Sequence, residues 1–257
     1  MKNPIVRRFR AAAAAEDGLM LADGVTLVAE ALVTDLGRLE VAISPRLQSS
    51  ERGAALLEHL RGGDPPAVEC SDEVMARVSS LTTHQGVAAV LRQPMWSTPE
   101  LIAPAPALLV IAAGVRDPGN LGALIRTAEA AGATGLVTVI GTAHPFRDKA
   151  VRGASGSVLR LPILAGQDPA ALADSLRDAS VDVVLAERGA ATTHTDIDLQ
   201  RPSAIVLGGE TSEVPEPLAQ LAAARIGIPM RSTVESLNVA VAAGIVLYEA
   251  HRQRQVR

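Results

Sequence analysis

The chain has 257 residues, enough for one large domain or two ordinary ones with an ample core. Hydrophobic residues make up 48% and charged residues 20%, the balance of a folded globular protein, and the single cysteine, Cys70, excludes an intrachain disulfide and fits a reducing cytosol. A net charge of −4 and an aromatic content of 2% argue against a wholly basic nucleic-acid binder and against rows of rings stacked on bases, while leaving room for a local basic patch.

The opening stretch MKNPIVRRFRAAAAAEDG is positively charged, but Arg7, Arg8 and Arg10 interrupt any apolar signal-peptide core. It predicts a basic helix from near Pro4 to Ala15, the alanine run being a good helix former. Candidate strands follow at 19–23 (LMLAD), 39–44 (LEVAIS), 67–70 (AVEC) and 86–92 (GVAAVLR), with helical periodicity between them in GVTLVAEALVTDLG and SDEVMARVSS. Residues 93–107, QPMWSTPELIAPAPA, hold four prolines and little periodicity, so they read as a semi-rigid linker.

Beyond it, apolar runs at 108–113, 135–140, 159–164, 181–186, 203–208 and 225–230 alternate with helical patterns at about 120–131, 168–179, 214–224 and 233–252. Continuous apolar strands suit a parallel sheet covered by helices on both faces. The expected fold is therefore α/β, with a small domain at 1–92, the linker at 93–107 and a larger domain at 108–257. The longest uncharged apolar run, 236–248, falls short of the ~18 residues of a membrane span, so the expectation is a soluble cytoplasmic protein that engages no membrane.

In open α/β sheets ligands bind beyond the carboxyl ends of the strands, which singles out three loops: GVRDPGNLGALIRTAEAAGA after LLVIAA, GETSEVP after SAIVLG, and RSTVESLN after RIGIPM. None has the G-x-G-x-x-G or G-x-x-x-x-G-K-[ST] pattern, so a dinucleotide or NTP site has no fingerprint here. In the third loop Ser232 and Glu235 have capping-box spacing and predict a helix that starts near Thr233. That start leaves Ser236 and Asn238 inside the first two turns of an apolar helix, where propensity does not explain them. His84, His144 and His194 lie in loops without matched Cys or carboxylate spacing, so no metal site is expected.

Together the three loops resemble the three motifs of the SpoU-type RNA 2′-O-ribose methyltransferases, the knotted class of S-adenosylmethionine enzymes. NLGALIRTAEAAGA carries Asn120, Gly122 and Arg126 at the family spacing, IVLGGE carries Gly208 and Glu210, and IPMRSTVESLNVAVAAGIVLYEA is the most specific of the three. Two departures stand out: GGETSEVP lacks the further Gly usual after the motif-two Glu, and Ser232 stands where Gly is common. NPIVRRFR, LADGVTLVAEAL and THQGVAAVLR extend the likeness to residues 1–92, which resemble the family's L30e-like substrate-recognition domain.

The resemblance implies a trefoil-knotted C-terminal domain, S-adenosylmethionine as cofactor, RNA as partner (ribosomal by expectation), and a homodimer with the cofactor cleft near the subunit interface. It implies a cofactor site at Leu207, Gly208, Gly209, Ile228, Met230, Ser236 and Leu237, and a catalytic group of Asn120, Arg126, Glu210, Ser236 and Asn238. Arg126 would hold the substrate hydroxyl; because a guanidinium stays protonated, its physical role is to stabilise a developing alkoxide rather than to act as a base. RNA contacts are expected at Arg7, Arg8, Arg126 and Arg152, the last lying with Lys149 and Ser155 in DKAVRGASGS. From the residues alone, Asn120 also fits a helix cap, Glu210 a helix dipole and the basic N-terminus a solvated face. A transfer-RNA enzyme, or a non-catalytic RNA-binding or ribosome-assembly protein on the same fold, are the alternatives.

Overall fold

The computed structural model describes residues 4–34, 36–61, 66–209, 213–231, 233 and 235–255. Glu210 and Ser232, with the roles expected of them, lie outside the described residues. The chain divides into two compact units, Met1–Pro94 with Phe146–Leu159, and Met95–Pro145 with Arg160–Arg257.

The first unit opens with α1 (Pro4–Ala13), which buries Phe9 and Ala12 and leaves Arg7, Arg8 and Arg10 exposed. It continues through β1 (Leu19–Asp23), α2 (Val25–Leu32), β2 (Arg38–Ile43), α3 (Glu51–Leu60), β3 (Ala67–Glu69), α4 (Asp72–Val78) and β4 (Val87–Arg92). The four strands form a sheet in the order β1-β4-β2-β3, antiparallel except for the β2–β3 pair. Serines start two of the helices: Ser50 Oγ accepts from Gly53 N at 3.1 Å and Ser71 Oγ from Val74 N at 3.4 Å, each satisfying a donor the helix start leaves free.

The second unit begins with α5 (Thr98–Ile102), β5 (Leu108–Ala113), α6 (Pro118–Ala130) and β6 (Gly135–Val139). The next helix, α7 (Asp148–Ala154), belongs to the first unit, where it packs against β1. The chain then completes the second unit with β7 (Ile163–Gln167), α8 (Pro169–Asp178), β8 (Asp182–Ala186), β9 (Thr192–Thr193), β10 (Ser203–Gly208), α9 (Glu216–Gln220), β11 (Ala222–Gly227) and α10 (Val239–Gln255). Its strands form one seven-stranded sheet, β7-β6-β5-β10-β8-β11-β9, in which every pairing is parallel. The central strands β5 and β10 are buried along nearly their whole length, as a sheet covered on both faces requires.

Several expected boundaries move. The proline-rich stretch is not a spacer: α5 forms inside it, with the Glu100 carboxylate accepting from Ser97 N at 2.7 Å and Ser97 Oγ at 2.6 Å, and it buries Leu101 in the core of the second unit. Gly135 records how closely Leu101 sits, since a Cβ there would fall 2.5 Å from Leu101 Cγ. The strand expected at 159–164 begins later, as β7, after a 3-10 turn at Ser157–Leu159. Residues 222–224, expected at the end of a helix, instead open β11 and pair with β8, so tertiary pairing overrides the helix propensity of three alanines.

Candidate active site

The largest correction concerns the helix after Met230: α10 starts at Val239, not near Thr233, and Asn238 is its cap. Asn238 Oδ1 accepts from Ala240 N at 2.9 Å and Val241 N at 3.4 Å, while its carbonyl accepts from Ala242 N at 2.9 Å. With Oδ1 facing those N–H groups, the amide nitrogen points the other way, and Nδ2 donates to Asn120 Oδ1 at 2.9 Å. The two asparagines lie 118 positions apart in sequence, so this bond ties the first motif directly to the third.

Asn120 itself is not a cap. Asp117 caps α6, its carboxylate accepting from Asn120 N at 2.8 Å, which places Asn120 in the first turn. Two turns further along, Arg126 is exposed and has no ion-pair or hydrogen-bond partner among the described residues. Helices α6 and α10 pack on one another, and Gly244 comes close to Thr127: a Cβ on it would lie 3.5 Å from Thr127 Cγ2.

Beside this junction a cavity of about 410 Å³ opens at the carboxyl ends of β8, β10 and β11. Every residue expected in the cofactor site lines it: Leu207, Gly208 and Gly209 from the end of β10, Ile228 and Met230 from the loop after β11, and Ser236 and Leu237 ahead of α10. Ser236 is exposed there rather than held in a helix. Gly209 has a steric reason to be glycine, because a Cβ would stand 2.0 Å from the Gly114 carbonyl oxygen; the same approach lets Gly209 N donate to Ala113 O at 2.8 Å. Glu187, Arg188 and Glu235 also line the cavity and were not singled out from the sequence. The first two follow β8, one of the strand ends to which the same rule points, but their loop carries none of the three motifs.

The remaining expected RNA contacts lie in the first unit. Arg8 approaches Glu40 at 4.0 Å, and Arg7 is exposed on the same helix. Arg152 sits on α7, where its Nη1 donates to Asp148 Oδ2 at 2.6 Å and to Ser80 Oγ at 2.5 Å, so its charge is already partly balanced. Ser155 ends that helix in the left-handed conformation, with φ of 48°.

A parallel α/β unit with a cavity walled by its strand-end loops has the architecture in which small organic ligands are bound. The profile of the SpoU rRNA Methylase family matches residues 107–248, and an uncharacterized tRNA/rRNA methyltransferase of Synechocystis is 30% identical over 98% of this chain and 92% of its own length. The chain belongs to the SpoU rRNA methylase family. A Bacillus subtilis 23S rRNA (guanosine(2553)-2'-O)-methyltransferase, RlmP, is 35% identical over 69% of each chain. An AdoMet-bound rRNA methyltransferase from Sinorhizobium meliloti superposes with a TM-score of 0.81 at 32% identity, covering 98% of this chain and 95% of that one.

Proposed function

We propose that this protein methylates a ribose 2′-hydroxyl of ribosomal RNA with S-adenosylmethionine as the donor. The observation that carries the reading is a cavity onto which the second and third motif loops converge, beside the Asn120–Asn238 bond. Its residues fit the cofactor: Leu207, Ile228, Met230 and Leu237 offer apolar walls for an adenine ring, and the Glu235 carboxylate suits a ligand that carries positive charge. When bound, S-adenosylmethionine supplies an electrophilic methyl group on a sulfonium centre.

The chain's own contribution is placement and electrostatics. Arg126, without a counter-charge among the described residues, holds the attacking ribose oxygen and stabilises the negative charge that develops as its proton passes to solvent. Asn120, fixed by Asn238, orients the ribose beside it. Ser236 contributes a hydroxyl to the cavity wall, and Glu210 belongs to the same catalytic group by family likeness.

The test is transfer of a labelled methyl group to ribosomal RNA followed by mapping of 2′-O-methyl positions. Replacing Arg126 with Ala lowers turnover by about 10²-fold or more, the usual cost of one transition-state donor, while calorimetry finds the cofactor still bound. Undiminished turnover in that variant overturns the assignment.

The reading includes a second copy of the chain and the family's knotted tail. Val241 and Tyr248 are 52% and 51% exposed and lie seven residues apart on α10, an apolar stripe suited to a matching helix. Light scattering then gives twice the 26.6 kDa chain mass, and a monomer refutes this part. The first unit, with Arg7, Arg8 and Arg152, serves as the RNA-recognition module of an enzyme working in the cytoplasm, which agrees with the unpaired Cys70. No helix among the described residues is long and apolar enough to cross a membrane.

A further inference from the structure

We propose that a second cavity in the same unit, adjoining the first, grips a backbone phosphate of the RNA substrate through Arg188 and Arg231. The inference rests on the methyltransferase reading above and adds to it the residues that hold the strand. The cavity measures about 340 Å³ and shares Arg188, Ile228 and Met230 with its neighbour. Arg231 and Thr193 complete its polar lining, and no carboxylate among the described residues contributes to it.

Charge is what distinguishes the place. Glu187, next to Arg188 in sequence, is engaged by Arg225, and among the described residues neither Arg188 nor Arg231 has an ion-pair or hydrogen-bond partner. Two unbalanced guanidinium groups and a hydroxyl around one concavity attract an anion, and the forked guanidinium matches a pair of phosphate oxygens. By contrast, Arg8 and Arg152 already have Glu40 and Asp148 beside them.

The walls are also fixed in advance. Glu187 N donates to Ile226 O at 2.8 Å and His194 N to Gly227 O at 3.0 Å, so the 187–194 turn is pinned to β11 at both ends. Packing between the pins is close: a Cβ on Gly227 would lie 3.2 Å from Ala190 O. A rigid floor reduces the ordering cost of holding a phosphate. Because the cavity opens directly beside the cofactor pocket, a strand gripped there is anchored next to the site of methyl transfer.

The test measures binding of a ribosomal RNA fragment by fluorescence anisotropy across a salt series for the wild type, Arg188→Ala, Arg231→Ala and Arg231→Lys. Each alanine variant lowers the slope of log K against log salt by about 1, and the lysine variant restores it. Calorimetry finds that Arg231→Ala keeps its S-adenosylmethionine affinity within about twofold, since Arg231 lines only the second cavity. Unchanged slopes with intact RNA binding overturn the inference and leave the methyltransferase reading standing. A large loss of S-adenosylmethionine affinity in Arg231→Ala assigns the guanidinium to the cofactor carboxylate and overturns it as well. Absence of RNA binding by the wild type overturns both readings.

Discussion

Replacing Asn238 with Ala removes two separable things, the cap of α10 and the bond to Asn120. Loss of an Asn cap costs about 1 kcal/mol, and a partly exposed amide–amide bond contributes about 0.5–1 kcal/mol net. The expected total is about 1.5–2 kcal/mol, read as a shift of the urea midpoint at constant slope. Asn238→Ser keeps an acceptor for the Ala240 N–H but is too short for Asn120, so it loses only the second part, about 0.5–1 kcal/mol. Asn120→Ala removes the same bond from the other side. A double-mutant cycle between Asn120→Ala and Asn238→Ala therefore returns a coupling of about 0.5–1 kcal/mol, whereas a coupling below about 0.3 kcal/mol shows that the bond does not link the two helices in solution. Cofactor affinity follows the cap, since Ser236 and Leu237 immediately precede it: Asn238→Ala weakens S-adenosylmethionine binding and Asn238→Ser largely preserves it.

Two further outcomes concern the far end of α10. The half-buried Arg254 guanidinium donates to four backbone carbonyls, Leu199 and Pro106 at 2.8 Å, Ala107 at 3.0 Å and Arg201 at 2.8 Å; burial lowers its pKa yet leaves it protonated. Arg254→Met strands those acceptors and costs about 2–4 kcal/mol, a fall in melting temperature of roughly 5–15 °C by calorimetry, and a shift under about 2 °C contradicts the clamp. Glu249 accepts from Arg252 Nε and Nη2 at 2.8 and 2.7 Å and from Gln253 Nε2 at 2.7 Å; chiefly through Arg252, then Gln253, these bonds lower its pKa from 4.5 to about 2. A carboxyl depressed on folding stabilises fully above its unfolded value and loses that contribution as pH falls, so the stability gap between wild type and Glu249→Gln closes between pH 4.5 and about 2. A gap that does not change across that window rules out the ionised carboxylate as its source.

The elements legible in the sequence are those whose signal is local and strong. Strands β5 and β10 read as strands because fully buried parallel strands are unbroken apolar runs, and the helical pattern expected from about 120 is α6, which starts at Pro118. Misread elements owe their structure to distant partners. The alanines of β11 become a strand only because β8 lies beside them, and the proline-rich stretch folds because Leu101 finds the pocket that Gly135 leaves open. Residues 148–154, for which no element is expected from the sequence, form a helix whose Ala150, Val151 and Ala154 are buried in the first unit.

The displaced start of α10 bears on the site as well as on the fold. A helix beginning near Thr233 would tie the backbone groups of 236–238 into intrahelical bonds and leave only side chains to meet a ligand. With the cap at Asn238, residues 235–237 form a non-helical wall of the cavity, and their backbone groups stay outside the helical ladder. A nucleoside is well recognised by such groups, because each adenine edge needs a donor and an acceptor at fixed spacing. Asn238 thus serves the site first by ending the loop: the cap holds α10 back, and the same side chain carries that boundary across to Asn120 on α6.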